Sequence, residues 1–140
     1  MKPPTELVVC VDKQEKDPAL EPTCVQWVDK QRGWQRSFKV HFEREDLRPY
    51  GCDYLLKGFH HVGRIEKKKN ADELAHNTLT KDRTRFLKSL DKLKTGCERP
   101  ILHIDDNPVS FQTQWSSVPT LEVVSTLYRW CYHTGVWLWW

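Results

Sequence analysis

The chain carries its most informative segment between Asp53 and Asp72, which reads DYLLKGFHHVGRIEKKKNAD. Residues 54–56 and 62–68 predict two strands, because a short turn that contains glycine separates them at 58–61. A helix is expected to follow the second strand directly. We therefore interpret this segment as a β-hairpin that leads into a helix.

The expected pairing of the hairpin places three charged side chains together. With Lys57 paired to Val62 across the turn, Asp53 faces Glu66, and directly opposed side chains of an antiparallel pair lie about 5 Å apart. Lys68 follows Glu66 by two positions, so both side chains project from the same face of the strand. The register thus predicts that two carboxylates and an ammonium group converge.

Such a cluster has two interpretations. Two adjacent carboxylates repel, and a divalent cation relieves the repulsion, since carboxylates, a backbone carbonyl and water are ligands of Mg²⁺. The ion also acidifies water and offsets charge on a phosphorane, as phosphodiester cleavage requires, while Lys68 would position the water or stabilise the same charge. In the alternative interpretation, the three side chains form a solvated charge cluster that adds little stability.

The composition is that of an ordinary single domain. A chain of 140 residues is long enough for a core of two or three layers. Its net charge of +3 and pI of about 8.6 are compatible with a polyanionic partner but do not require one. The distribution of charge is more informative, because the segment 64–88 concentrates Arg64, Lys67, Lys68, Lys69, Lys81, Arg83, Arg85 and Lys88.

Cysteine usage and hydropathy indicate a cytoplasmic, reducing environment. The five cysteines are scattered and form no C-x-x-C pair, which predicts neither disulfides nor a zinc site. Residues 1–6 lack the apolar core of a signal peptide. No apolar run approaches the length of a membrane span, so we expect an intracellular protein without a membrane partner.

Upstream of the hairpin the chain predicts three strands. The continuous apolar run 7–11 is typical of a central strand that is buried on both faces. It ends at Asp12, which either caps a turn or lies where open α/β sheets place ligand sites. Residues 24–28 and 37–42 predict two further strands, the second of them half-buried because its apolar residues alternate.

Two helices and a strand are expected after the hairpin. Asn70 is predicted to cap a helix that runs to about Leu79, in which Asp72 is either a first-turn acid or the partner that holds Lys68 in place. Residues 81–93 predict a second helix with an apolar stripe of Phe86, Leu87, Leu90 and Leu93. Because the strand 100–106 follows a helix, we expect it to pair in parallel.

The C-terminal segment 117–140 predicts a third helix and a last strand. Ser117 and Pro119 mark the start of the helix. Its buried side is expected to consist of Leu121, Val124, Leu127, Tyr128 and Cys131. Residues 136–140 predict the strand, and 107–117 a loop with isolated aromatic residues.

In this arrangement the chain resembles the ERCC4-type nuclease domain, the catalytic module of the XPF/MUS81 structure-specific endonucleases. The family pattern is Gly-Asp, a spacer, Glu-Arg-Lys, three residues and Asp, which here corresponds to Gly51-Cys52-Asp53, Glu66-Lys67-Lys68 and Asp72. The family's Asp-x-Arg-Glu segment is similar to 12–15. Its Arg-bearing helix and next core strand are similar to 81–86 and 99–104, so the resemblance covers roughly residues 7–106.

The resemblance implies an α/β fold with a restriction-endonuclease-like mixed sheet flanked by helices. It also implies cleavage of branched DNA that depends on Mg²⁺ or Mn²⁺. The metal ligands would be Asp53, Glu66 and the backbone carbonyl of Lys67, and Lys68 would orient the water. Asp12 and Asp72 would be supporting groups, and the DNA-binding side chains would be Lys67, Lys69, Lys81, Arg83 and Arg85.

Three positions depart from the family pattern. Lys67 replaces an arginine, which keeps the charge but loses the planar fork of donors. Gln14 replaces an upstream arginine, and Cys52 is an extra residue between Gly51 and Asp53. None of these changes removes a carboxylate or Lys68, but they bear on how DNA would be positioned.

The resemblance is greatest to the small stand-alone members of phages and bacteria, so a nucleoid or phage-infected cell is the expected setting. We expect one domain over 1–140, with a core at about 7–106 and a C-terminal helix and strand at 117–140. DNA with branches or single-strand/double-strand junctions is the expected partner, with a homodimer or a partner protein as a further expectation. The alternatives are a non-catalytic DNA-binding scaffold of the same fold and a Holliday-junction-type nuclease.

Overall fold

Seven strands and three helices make up the parts of the chain that the computed structural model describes, which are residues 5–16, 24–106 and 120–140. They are, in chain order, β1 (Glu6–Asp12), β2 (Cys24–Asp29), β3 (Trp34–Glu45), β4 (Tyr54–Leu56), β5 (Gly63–Lys68), α1 (Ala71–Leu79), α2 (Arg83–Lys94), β6 (Arg99–Ile104), α3 (Thr120–Thr134) and β7 (Trp137–Trp139).

The strands form one mixed sheet in the order β2-β3-β1-β4-β5-β6-β7. β1 runs parallel to β3 and antiparallel to β4, and β6 runs parallel to both β5 and β7. The parallel pairing expected for the strand after α2 is therefore confirmed. In this order the β4–β5 hairpin lies in the interior of the sheet, where neighbouring strands fix its position on both sides.

The predicted register of the hairpin is confirmed. Tyr54 pairs with Ile65 and Leu55 with Arg64, which is the alignment that the turn length predicts. The returning strand begins one residue later than expected, at Gly63 rather than Val62. Because side chains alternate along a strand, this register places Glu66 and Lys68 on one face of β5 and Lys67 on the other.

Helices α1 and α2 follow the predicted caps and apolar stripe. The side chain of Asn70 accepts a hydrogen bond from the amide of Glu73 at 3.0 Å and so caps α1. On α2, which begins two residues later than expected, Phe86, Leu90 and Leu93 are buried as predicted. They join one core cluster with sheet residues such as Leu102.

Arg64 is a buried charged residue in this core, with 5% of its surface exposed. Its guanidinium donates to the carbonyl of Thr95 at 2.8 Å and to that of His60 at 2.7 Å, and more weakly to Gly96 at 3.3 Å. These bonds tie the C-terminal end of α2 to the hairpin loop. Arg64 is thus a structural member of the basic segment, and its charge satisfies carbonyl groups that a helix end leaves unpaired.

The predicted buried side of α3 is wrong in part. Leu121 is 77% exposed and Tyr128 is 52% exposed, whereas the fully buried positions include Val123 and Leu127, with Trp130 beside them. Apolar residues occur around most of this helix, so their spacing is consistent with more than one buried face. The predicted start at 117 and the loop 107–117 lie outside the described residues.

Among the described strands, β7 lies at the edge of the sheet and pairs with β6, and its Trp137 and Trp139 are exposed. The final strand is therefore confirmed, although it is shorter than expected.

All five cysteines are free thiols. None of the helices in the described ranges is long and apolar enough to cross a membrane.

Candidate active site

Asp53 lies beside Glu66 at the end of the β4–β5 ladder. The amide of Asp53 donates to the carbonyl of Ile65 at 2.9 Å, and its carboxylate oxygen Oδ2 accepts from the amide of Lys67 at 2.7 Å. These two bonds attach Asp53 to the residues on either side of Glu66. The two carboxylates predicted from the register are thus brought together.

Lys68 completes the cluster from the same face of β5. Its ammonium nitrogen Nζ lies 2.8 Å from Oε1 of Glu66, and the two side chains are only 12% and 15% exposed. The ammonium group also lies 5.7 Å from the centre of the Phe86 ring on α2. An aromatic face attracts a cation at this distance, so α2 helps to hold Lys68 over the carboxylates.

A second carboxylate contact to Lys68 comes from Glu73, which the sequence interpretation missed. Oε1 of Glu73 lies 3.4 Å from Nζ of Lys68, and Oε2 accepts from the amide of Lys69 at 2.9 Å. Lys68 and Glu73 lie on either side of the turn between β5 and α1. Glu73 is the third residue of α1, and its amide donates to the capping side chain of Asn70. A supporting role for Asp72 stays a prediction.

Asp12 lies at the same edge of the sheet, with both oxygens used by backbone amides. Oδ1 accepts from Gln14 at 2.7 Å and Oδ2 from Leu47 at 2.8 Å. Its own amide donates to the carbonyl of Asp53 at 2.8 Å. Asp12 therefore has the turn-capping role that the sequence left open, and it ties two loops to the segment that carries Asp53.

Burial sets the protonation of this cluster. Burial and the nearby charge of Glu66 raise the pKa of Asp53 to about 7. Burial lowers the pKa of Lys68, but the charges of Glu66 and Glu73 outweigh it and leave the pKa above its ordinary value. A partly buried carboxylate next to a second carboxylate is a group whose negative charge a bound cation would stabilise.

The cluster opens into a cleft of about 520 Å³. One wall consists of the loops that follow β1 and β3, and the other of α1 and α2. The lining side chains include the acidic cluster at the base, Lys92 of α2, and three groups that sequence reasoning did not assign, namely Arg48, Asn77 and Ser89. An adjoining cleft of about 340 Å³ reaches the same cluster from the side of Lys69.

The predicted DNA-binding side chains have different environments. Arg85 lines the main cleft, and Lys67 and Lys69 line the adjoining one. The Lys67 side chain is only 7% exposed, and its ammonium group lies 3.6 Å from Asp105. The guanidinium of Arg83 stacks 4.9 Å from the Trp130 ring of α3, and Lys81 is exposed ahead of α2. Arg85 is therefore the predicted DNA-binding residue that lines the main cleft together with the acidic cluster.

The donor set fits a magnesium-type cation. Within the described parts of the chain, no three histidine, cysteine, aspartate or glutamate residues cluster as metal ligands. Mg²⁺ does not require such a cage, because it keeps several waters and is usually bound by one or two carboxylates together with phosphate oxygens. Asp53 and Glu66 could supply these two carboxylates, and the open cleft has room for a phosphate.

Comparison with known proteins supports the fold. No protein-family model matches the sequence, and no curated protein matches it. Among solved structures, XPF from Aeropyrum pernix is similar with a TM-score of 0.63 and 14% sequence identity, over 94% of this chain and 52% of that chain. The chain thus spans about half the length of that structure. This likeness confirms the XPF-like, restriction-endonuclease-like α/β fold that the sequence predicted.

Proposed function

We propose that this chain is a divalent-metal-dependent DNA endonuclease that cuts branched or flap-type DNA, of the small stand-alone ERCC4 type. The observation that carries the proposal is the meeting of Asp53, Glu66 and Lys68 at the base of an open cleft with basic side chains on its wall. The likeness to an XPF structure supports the same proposal at the level of the fold. We further propose that residues 1–140 form the catalytic unit.

Asp53 and Glu66 would hold Mg²⁺ or Mn²⁺, with the backbone carbonyl of Lys67 as an additional oxygen ligand. When bound, the ion would acidify a water molecule and offset charge on the phosphate. The carboxylates fit this role because the backbone bonds of Asp53 and the ion pair of Glu66 fix them before any ligand binds. Side chains that need no rearrangement lose little entropy when the substrate binds.

Lys68 would orient the attacking water and stabilise the charge that develops on the phosphate. Its ammonium group stays protonated at neutral pH, because the lowering of its pKa by burial is outweighed by the charges of Glu66 and Glu73. Glu73 acts as a positioning residue, since it contacts Lys68 from the helix side. Asp12 contributes by fastening the loop that precedes β4, and hence the position of Asp53.

We also propose a homodimer that forms through the outer face of α3 and the edge strand β7. Tyr128 and Tyr132 are exposed on α3, as are Trp137 and Trp139 on β7, and exposed aromatic patches mark interfaces. The indole of Trp140 donates to the hydroxyl of Tyr128 at 3.2 Å, which links the end of the strand to the helix. Light scattering of the wild type and of Tyr132→Glu tests this proposal, and a monomeric wild type would refute it.

Cleavage assays test the proposed activity. Purified wild type is incubated with labelled flap, fork, four-way and duplex DNA, in Mg²⁺ and in EDTA, beside Asp53→Ala and Lys68→Ala. A matched control is Glu98→Ala, which removes an exposed acid next to the opposite end of β6. We expect wild type and Glu98→Ala to cut flap or forked DNA in Mg²⁺ alone, and both site variants to lose at least about 100-fold in rate.

Other outcomes would change the assignment. Equal cutting by wild type and both site variants would refute the proposed active site. DNA binding without cutting in any metal would identify a non-catalytic scaffold. Cutting restricted to four-way DNA would identify a Holliday-junction-type nuclease instead.

A further inference from the structure

We propose that one face of α2, formed by Arg85, Ser89 and Lys92 and called here the α2 stripe, binds the phosphates of a single DNA strand without contacting its bases. This inference rests on the proposed nuclease function and adds a substrate-binding surface to it. The stripe would guide one strand of the substrate toward the acidic cluster.

The spacing of the stripe suits a row of phosphates. Residues four and three positions apart lie on the same face of a helix, and all three side chains line the main cleft. The seven steps from Arg85 to Lys92 correspond to about 10 Å along the helix axis at about 1.5 Å per residue. A stacked strand rises about 3.4 Å per nucleotide, so the stripe spans about three nucleotides.

One end of the stripe lies next to the acidic cluster. Phe86 follows Arg85 in the chain, and its ring centre is 5.7 Å from the ammonium group of Lys68. A phosphate bound at Arg85 would therefore be close to the groups proposed to cut the backbone. The stripe and the acidic cluster share one continuous cleft.

The other end of the stripe is positioned by a close approach of helix and loop. A Cβ atom at Gly51 would lie 3.0 Å from Cγ of Lys92 and 3.1 Å from its Cβ and Cδ. The aliphatic stem of Lys92 thus lies against the glycine, two residues before Asp53. Glycine at this position lets the charged end of Lys92 reach the same cleft as the acidic cluster.

The cations of the stripe are available to an anion. In the described ranges, neither Arg85 nor Lys92 has a carboxylate within ion-pair distance. Arg48 lines the same cleft but already binds Asp46 through two hydrogen bonds, of 2.8 and 2.6 Å. Phosphate is the natural counter-ion for the two unpaired cations. Ser89 lies between them as a small, uncharged residue whose hydroxyl donates to the carbonyl of Phe86 at 2.8 Å.

No described residue that lines the cleft offers an exposed aromatic side chain, which favours contact with the backbone rather than the bases. Proteins that hold bases of single strands stack them on accessible aromatic rings. Among the described residues that line the cleft, the aromatic one is Phe86, and it is only 3% exposed. Binding through the stripe should therefore be independent of base sequence.

The test measures DNA binding in EDTA, so that cleavage does not contribute. Fluorescence anisotropy with labelled single-stranded and flap DNA of several sequences is recorded between about 50 and 200 mM salt. The variants are the double substitution Arg85→Gln with Lys92→Gln, and Ser89→Asp, which adds a negative charge between the two cations. The matched control is Lys94→Gln on the same helix, because the Lys94 side chain lies beside Gly135, away from the cleft.

We expect the double variant to lower DNA affinity at least about tenfold at low salt. For single strands, the log of the binding constant should also fall less steeply with the log of the salt concentration, by about 1.4 in slope. Ser89→Asp should also weaken binding, whereas Lys94→Gln should retain the wild-type slope. The melting temperature of each variant is compared with that of the wild type. The substitutions to glutamine should leave it unchanged, because Arg85, Lys92 and Lys94 are exposed.

Two results would overturn the inference while the nuclease proposal stands. The first is an unchanged salt slope in the double variant and in Ser89→Asp, although the wild type binds and cuts DNA. The second is a loss of affinity that depends strongly on base sequence. A wild type that fails to bind DNA at all would overturn both the inference and the proposed function.

Discussion

Asp53 and Glu66 are held side by side, because backbone groups of β5 on both sides of Glu66 bind Asp53. Burial and this proximity raise the pKa of Asp53 to about 7. The site therefore retains a repulsion that folding alone does not relieve. Its consequences for stability and for metal binding are measurable.

The first prediction concerns stability and pH in the absence of metal. The folded protein keeps the Asp53 proton up to about pH 7, whereas the unfolded chain loses it near pH 4. Wild-type stability should therefore fall as pH rises from about 4 to 7, and the full penalty is present above pH 7. Asp53→Asn should raise the free energy of unfolding at pH 8 by about 2 kcal/mol, and by less at pH 5.

Urea unfolding of both proteins at pH 5 and pH 8 measures this difference. The free energy of unfolding should depend on urea concentration with the same slope in both proteins. Differences between their unfolding midpoints then report differences in stability. Stability curves that run parallel across this pH range would show that Asp53 ionises normally.

The second prediction concerns Mg²⁺ and thermal stability. An ion that binds only the folded state should stabilise the wild type by about 2.7 kcal/mol at 100 times its Kd. Asp53→Ala and Glu66→Ala should lose this stabilisation, because each removes a proposed ligand. Melting temperatures at pH 8 are compared in MgCl₂ and in NaCl of equal ionic strength, and an equal rise in all three proteins would exclude this site.

The third prediction separates two neighbouring acids of α1. Glu73 lies 3.4 Å from the ammonium group of Lys68. Glu73→Gln should therefore lower the cleavage rate about tenfold. It should also shift the basic limb of the pH–rate profile to lower pH, because the charge of Glu73 raises the pKa of Lys68.

Asp72→Asn is the matched comparison for Glu73→Gln, because it makes the same neutralising change one residue earlier in the same helical turn. A smaller effect at position 72 would identify Glu73 as the positioning residue. If only Asp72→Asn altered the pH profile, the family-based role of Asp72 would be correct and that of Glu73 wrong.

The fourth prediction uses two glycines with nearly the same backbone conformation. Gly51 has φ of +64° and Gly33 has φ of +67°, but a Cβ atom would meet the Lys92 stem only at Gly51. Alanine should cost about 1 kcal/mol of stability at either position, because the conformation is left-handed. Gly51→Ala alone should also weaken DNA binding, since Lys92 must move.

Melting curves and anisotropy in EDTA on the two alanine variants measure these effects. Backbone strain is common to both variants, so a difference in DNA affinity between them reports the effect of displacing Lys92. Equal affinity of the two variants would show that the position of Lys92 does not matter for DNA binding.

The sequence predicted those parts of the site that local rules determine. The register of the β4–β5 hairpin follows from its turn length, and the cap at Asn70 follows from side-chain chemistry. Together they were sufficient to place Asp53, Glu66 and Lys68 in one cluster. The roles of these residues in metal binding and cleavage stay predictions.

Other features depend on how whole elements pack. The contact of Glu73 with Lys68 depends on the direction in which α1 leaves β5, and the α2 stripe on how α2 lies against the loop at Gly51. The buried face of α3 was predicted wrongly in part, at Leu121 and Tyr128, since apolar side chains surround most of that helix and its neighbours select the face. None of these relations is encoded in short-range spacing.

The anchoring of Arg64 has a consequence for the substrate. An outward movement of α2 would remove the carbonyl groups of Thr95 and Gly96 from the buried guanidinium of Arg64, and such a loss is strongly destabilising. We therefore expect the walls of the cleft to be stiff, so that a DNA substrate would have to deform to enter it. We expect DNA whose backbone is already interrupted to be distorted at the lowest cost, so single-turnover assays should show nicked or flapped duplex cut faster than continuous duplex of the same sequence.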